Sequence, residues 1–167
     1  MRIEPFEMKY LDDYFGEFNE EITKYQWPDP FETIDDAKGL LKEFMDEMDV
    51  KETLFYSVIS DEGDFAGSVE LHGLNSECPE IGVWIAQKEQ RKGYAYASLK
   101  ALLDIARSEY GKTRFFYEAD IRNEGSMMLL KKFEGEYDIT KMGLEEMVTD
   151  SGKELKLQGY ELSRKKI

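Results

Sequence analysis

The residues with the most chemical promise lie between Glu80 and Ala95. An apolar stretch, Glu80 to Ala86, leads into Gln90-Arg91-Lys92-Gly93-Tyr94-Ala95 and then into a helical pattern. A strand-to-helix turn of this kind points free main-chain N–H groups at one spot. Gly93 permits a positive φ or a close backbone approach. The helix start adds a partial positive charge, and Arg91 and Lys92 add whole ones. Together they form a cradle suited to phosphate. The glycine spacing fits neither a nucleotide P-loop nor a dinucleotide-binding turn.

Counts exclude other chemistry. The single cysteine, Cys78, forbids an intramolecular disulfide and any multi-cysteine zinc site. The single histidine, His72, forbids a histidine-based metal cluster, and no metal is expected. It also sits in no Ser-His-Asp pattern, so a covalent acyl-enzyme has no support.

The chain has 167 residues, with 22 Lys and Arg against 36 Asp and Glu, a net charge of −14. Residues 1–50 hold 15 acidic and 5 basic side chains, whereas residues 87–114 hold 7 basic and 3 acidic. An acidic body repels nucleic acid and steers cations inward. The basic island suits an anion. No apolar run approaches the ~18 residues of a membrane span, so no membrane partner is expected. The start, MRIEPFEMKY, has no signal-like apolar segment, and a cytoplasmic location is expected. The length fits one domain over residues 1–167.

These residues must be positioned by a mixed set of elements. A short strand is expected at 2–7. Tyr10, Leu11, Tyr14, Phe15, Phe18, Ile22 and Tyr25 form a helical stripe that Pro28 and Pro30 end. Thr33 precedes a second helix whose face is Ile34, Ala37, Leu40, Leu41, Phe44, Met45 and Met48. Strands are expected at 54–60, 65–72 and 80–86. A helix carries Leu99, Leu102, Leu103, Ala106 and Tyr110 to a stop at Gly111. A strand at 113–121, a helix at 126–133 and a closing hairpin of 145–148 with 154–162 complete the chain. The order implies an α+β, or mixed α/β, fold.

The turn resembles the pyrophosphate-binding motif of the GNAT superfamily of N-acetyltransferases, Gln/Arg-x-x-Gly-x-Gly/Ala, filled by Gln90, Gly93 and Ala95. Trp27-Pro28-x-Pro30 before a Thr33-capped helix resembles the ribosomal-protein N-acetyltransferase-like (RimJ/RimL-type) branch. So do the Glu80–Ile85 strand, Asn123-x-x-Ser126 with Leu130–Phe133, and Ser151-Gly152-Lys153 before Tyr160-Glu161-Leu162. The resemblance implies a twisted, mostly antiparallel sheet of about seven strands with helices on both faces. It implies acetyl-CoA as co-substrate, with the amides of Arg91, Lys92, Gly93, Tyr94 and Ala95 on the diphosphate. Ile85 and Ala86 would pair with the pantetheine arm as an added strand. Asn123 would contact the pantetheine, and Ser126 would face the thioester sulfur.

Direct attack of an amine in a ternary complex then needs a base. Glu118, Glu80 and Glu70 compete for that role. On 113–121, alternation puts Arg114, Phe116, Glu118 and Asp120 on one face and Phe115, Tyr117, Ala119 and Ile121 on the other. Glu118 has aromatic neighbours that would raise its pKa, and Glu70 shares a face with Ser68 and His72. Trp27 would either line the acceptor mouth or pin its loop. Two departures stand out. Leu130 occupies the position where many GNAT enzymes carry a tyrosine acid, and Lys132-Phe133 lacks the usual glycine before Phe. The acceptor is expected to be a primary amine: a protein N-terminus, a polyamine or another cationic amine. Glu70, Glu80 and Trp27 are its expected contacts, and a homodimer is compatible with the branch. The alternative is a non-catalytic acyl-CoA-binding module.

Overall fold

The computed structural model describes residues 1–166. The elements run β1 (Arg2–Pro5), α1 (Leu11–Glu17), α2 (Ile34–Asp49), β2 (Thr53–Ile59), β3 (Phe65–His72) and β4 (Glu80–Ile85). They continue with α3 (Tyr94–Tyr110), β5 (Arg114–Asp120), α4 (Glu124–Lys131), β6 (Tyr137–Val148) and β7 (Glu154–Arg164). All seven strands form one sheet in the order β1-β2-β3-β4-β5-β7-β6. Every neighbouring pair is antiparallel except β4 and β5, which run parallel.

Period-2 alternation divides the sheet into two faces with separate cores. One face packs Leu71, Ile81, Ile85, Phe115, Tyr117 and Leu162 against Leu99, Leu102 and Leu103 of α3 and Leu129 and Leu130 of α4. The other packs Phe55, Phe65 and Trp84 against Tyr14 of α1 and Leu41 of α2. Thr33 caps α2 as expected: its hydroxyl accepts from the Asp36 N–H at 3.1 Å.

The β4–β5 junction positions the site. The two strands share a single paired position, Glu80 opposite Phe116, beside a hydrogen bond from the Phe116 N–H to the Pro79 carbonyl at 2.9 Å. On its other edge β5 pairs along its whole length with β7, but past Phe116 no pairing joins it to β4. A gap therefore opens between β4 and β5, joining the two faces.

Several boundaries differ from expectation, with β1 stopping at Pro5 and β7 running on to Arg164. The stripe over 10–25 is helical only to Glu17, because Asn19 Oδ1 takes the N–H groups of Glu21 and Ile22 at 3.1 Å and starts a turn. Strand β4 stops at Ile85. Helix α4 begins two residues early, since Asn123 rather than a later residue caps it. Strand β6 starts at Tyr137 rather than 145. It is an edge strand exposed along most of its length, so its sequence lacks a long apolar run.

Candidate active site

The turn before α3 has the shape the sequence predicts. Arg91 and Gly93 both take left-handed backbone, with φ of 65° and 80°. The first intrahelical bond runs from the Ala97 N–H to the Gly93 carbonyl at 3.1 Å. The N–H groups of residues 91–95 lie ahead of it, and among the described residues none has a main-chain acceptor. A Cβ placed on Gly93 would meet nothing within 4 Å, so the space before these amides is open. That concavity fits a diphosphate. The side chains mostly serve the turn itself. Gln90 Nε2 donates to the Ile85 carbonyl at 3.0 Å. Lys92 pairs with the buried Glu89 at 3.0 Å, and the Tyr94 hydroxyl accepts from the Asp61 N–H at 3.2 Å.

From the turn, the edge of β4 leads to the gap. The Ala86 N–H bonds to Ala66 on β3 at 2.8 Å, and the Ala86 carbonyl accepts from Glu89 at 2.9 Å. Both main-chain groups of Ala86 thus have partners within the chain, and the Ile85 carbonyl has one in Gln90 Nε2. By alternation, the main-chain groups of Val83 and Ile85 turn away from β3, toward the gap.

A cleft of about 720 Å³ runs through this gap. On the α1/α2 side it is lined by Glu43, Glu47, Glu70, Glu80, Glu118 and Glu145, with no lysine or arginine among its described lining residues. Desolvation pushes Glu118 above the ordinary carboxylate range, reinforced by the charges of Glu80 and Glu145. Desolvation also raises Glu80, with Glu70 and Glu145 adding to it and His72 opposing. His72 lies in the same wall, with Nε2 3.4 Å from Glu70 Oε1 and its ring 4.9 Å from that of Phe44. Burial pulls the imidazole down, but Glu70, Glu47 and Glu80 outweigh it and hold its pKa above the usual value. Among the described residues, no three His, Cys, Asp or Glu side chains converge as a metal site.

The Acetyltransferase (GNAT) domain profile matches residues 1–136. The chain belongs to the GNAT acetyltransferase family. With the family come the acetyl-CoA-dependent N-acetyltransferase activity and the co-substrate that the resemblance implied. Solved acetyltransferase structures share the fold at low identity. One is a spermidine N-acetyltransferase from Vibrio cholerae in complex with CoA and spermine (TM-score 0.81, 18% identity, 97% of this chain and 95% of that one). Another is RimL, a ribosomal alpha-N-protein acetyltransferase in complex with coenzyme A (TM-score 0.83, 13% identity, 97% and 93%). A third is a probable acetyltransferase (TM-score 0.81, 20% identity, 96% and 91%). No curated protein sequence matches the chain.

Within this GNAT scaffold, Glu70, Glu80, Glu118, Asn123, Ser126 and Trp27 all line one cleft. Trp27 is 62% exposed and lines the cleft. Its loop is held by Asp29, which accepts from the Ser151 N–H and hydroxyl at 2.9 Å each and lies 3.4 Å from Lys153 Nζ. Asn123 Oδ1 caps α4 by accepting from the Ser126 N–H at 3.1 Å. Leu130 is buried in the core. Sequence reasoning missed Glu43 and Glu47, which helical spacing alone puts on the rim of an apolar stripe. It missed Glu145, because the expected hairpin carried no sign that its strands lie beside β5. It also missed the Tyr117 hydroxyl, which donates to Ser126 Oγ at 3.0 Å.

Proposed function

We propose that the chain acetylates a primary amine on an acceptor with additional positive charge, by direct attack within a ternary complex. The observation that carries this is the lining of the cleft: six carboxylates and no cationic lysine or arginine. Such a wall concentrates polycations and orders them by charge. A polyamine fits this reading best, and the structural likeness to a spermidine N-acetyltransferase is compatible with it.

The open amides of Arg91 to Ala95 would hold the diphosphate, and the main chain of Val83 and Ile85 would meet the pantetheine arm. Asn123, whose amide nitrogen is not used in capping, would contact the same arm. Acetyl-CoA supplies an activated acetyl group on a sulfur leaving group. Glu118 and Glu80 face the acceptor side of the gap. Their raised pKa values suit a carboxylate that accepts a proton from an ammonium as it becomes a nucleophile. Glu118 is the first choice as base, because it sits on β5 at the gap. The wall of Glu43, Glu47 and Glu70 would bind the distal cationic groups.

The test is acetyl-CoA turnover across spermidine, spermine, a simple alkyl monoamine and a peptide with a free N-terminus. The expected order has the polyamines at least about tenfold above the monoamine in kcat/KM, with the advantage fading as salt rises. Equal use of all amines would overturn the acidic-cleft reading. Firm coenzyme A binding without thiol release for any amine would favour the non-catalytic module.

A further inference from the structure

This inference rests on the acetyl-transfer reading and concerns the side of the gap opposite the carboxylates. The Tyr117 ring is packed in the core under α3 and α4 and is only 5% exposed. Its hydroxyl nevertheless reaches Ser126 Oγ at 3.0 Å, and both residues line the cleft. The phenol donates and the serine oxygen accepts. A serine that accepts here keeps its own hydrogen for another partner. The Ser126 N–H is already bound to Asn123 Oδ1 at 3.1 Å, so its position in the first turn of α4 is set.

Alternation puts Glu118 on one face of β5 and Tyr117 on the other, and the gap joins the two. Carboxylates that take a proton from an amine leave the opposite wall to receive the negative charge of the departing sulfur. Buried, apolar Leu130 offers no hydrogen there. We propose that Tyr117 is a positioning residue for acetyl transfer: its hydroxyl fixes the Ser126 hydroxyl with the hydrogen directed into the gap, toward the sulfur. In the transfer the C–N bond forms and the C–S bond breaks, its electron pair staying on sulfur. The amine proton goes to a cleft carboxylate, and Ser126 keeps its hydrogen. Burial pushes the Tyr117 pKa up, with the Ser126 contact opposing, so the phenol stays a donor at working pH.

Tyr117→Phe removes one oxygen and keeps the ring in its core site. Its kcat should fall about tenfold with the KM for acetyl-CoA unchanged, the size expected for one lost hydrogen bond. The fall should vanish when the change is made in a Ser126→Ala background. A binding measurement tests the same point without turnover. Calorimetry at alkaline pH should show wild type preferring coenzyme A over its desulfo analogue by about tenfold. Tyr117→Phe and Ser126→Ala should each lose most of that preference while binding the analogue normally. An unchanged kcat and preference in Tyr117→Phe, or a full effect persisting without Ser126, would overturn the proposal. Wild-type protein that binds neither compound would instead sink the acetyl-transfer reading itself.

Discussion

Glu118 shows how one residue's surroundings set both its chemistry and its cost. Desolvation raises its pKa, so the folded state holds the proton more tightly than the unfolded chain does. Its ionisation therefore opposes folding, and the penalty grows as pH rises from the ordinary carboxylate range through the folded value. Glu118→Gln should be at least as stable as wild type at neutral pH by thermal unfolding. It should also keep its affinity for coenzyme A and lose turnover, most strongly at low pH, where few acceptor amines are unprotonated. A pH–rate profile parallel to that of wild type would move the base elsewhere, with Glu80 next in line. Glu118, Glu80 and Glu70 were legible in the sequence because strand alternation assigns a face without any knowledge of pairing. The Tyr117–Ser126 contact was not, since it spans nine residues across a turn whose geometry depends on the Asn123 cap.

At the scale of elements, the turn between β5 and α4 must hold Asn123 and Ser126 against the gap. Asp120 does this from a fully buried position. It accepts from Arg122 Nε and Nη2 at 2.8 and 3.0 Å, from the Arg122 N–H at 2.9 Å and from the Lys156 N–H at 2.9 Å. The Arg122 guanidinium and these N–H groups outweigh burial and hold its pKa at about 2. A carboxylate depressed in this way contributes stability above the ordinary Asp range, and that stability is lost as pH falls toward about 2. Asp120→Asn should cost about 2 kcal/mol in denaturant unfolding at neutral pH, with the deficit shrinking in acid. A pH-independent deficit would contradict the assignment. The sequence showed the elements themselves well where a stripe or alternation was strong, as in α2, α3 and β3. It failed where a side chain competed for main-chain groups, as Asn19 does after α1, and where an edge strand had little apolar face to show, as in β6.

Across the whole molecule, charge and topology point the same way. The acidic first fifty residues build the α1/α2 side of the cleft, and the basic stretch 87–114 carries the cradle and α3. The partial β4–β5 pairing lets the two sides meet through the sheet. The family and its fold were legible because the glycine turn, the Glu80–Ile85 strand and the Asn123–Ser126 step are local patterns. The width of the cleft and the number of carboxylates in it were not, since they depend on α2, β4, β5 and β6 converging. Substitution at Gly93 is a blunt probe, because its φ of 80° makes any side chain strained whatever binds there. The most direct measurement is hydrogen exchange at the main-chain amides of residues 91–95, with and without saturating coenzyme A. Exchange at these amides should slow by an order of magnitude or more, the protection expected when open N–H groups close on a diphosphate. Unchanged exchange there, with coenzyme A fully bound, would place the ligand elsewhere and contradict a diphosphate site at this turn.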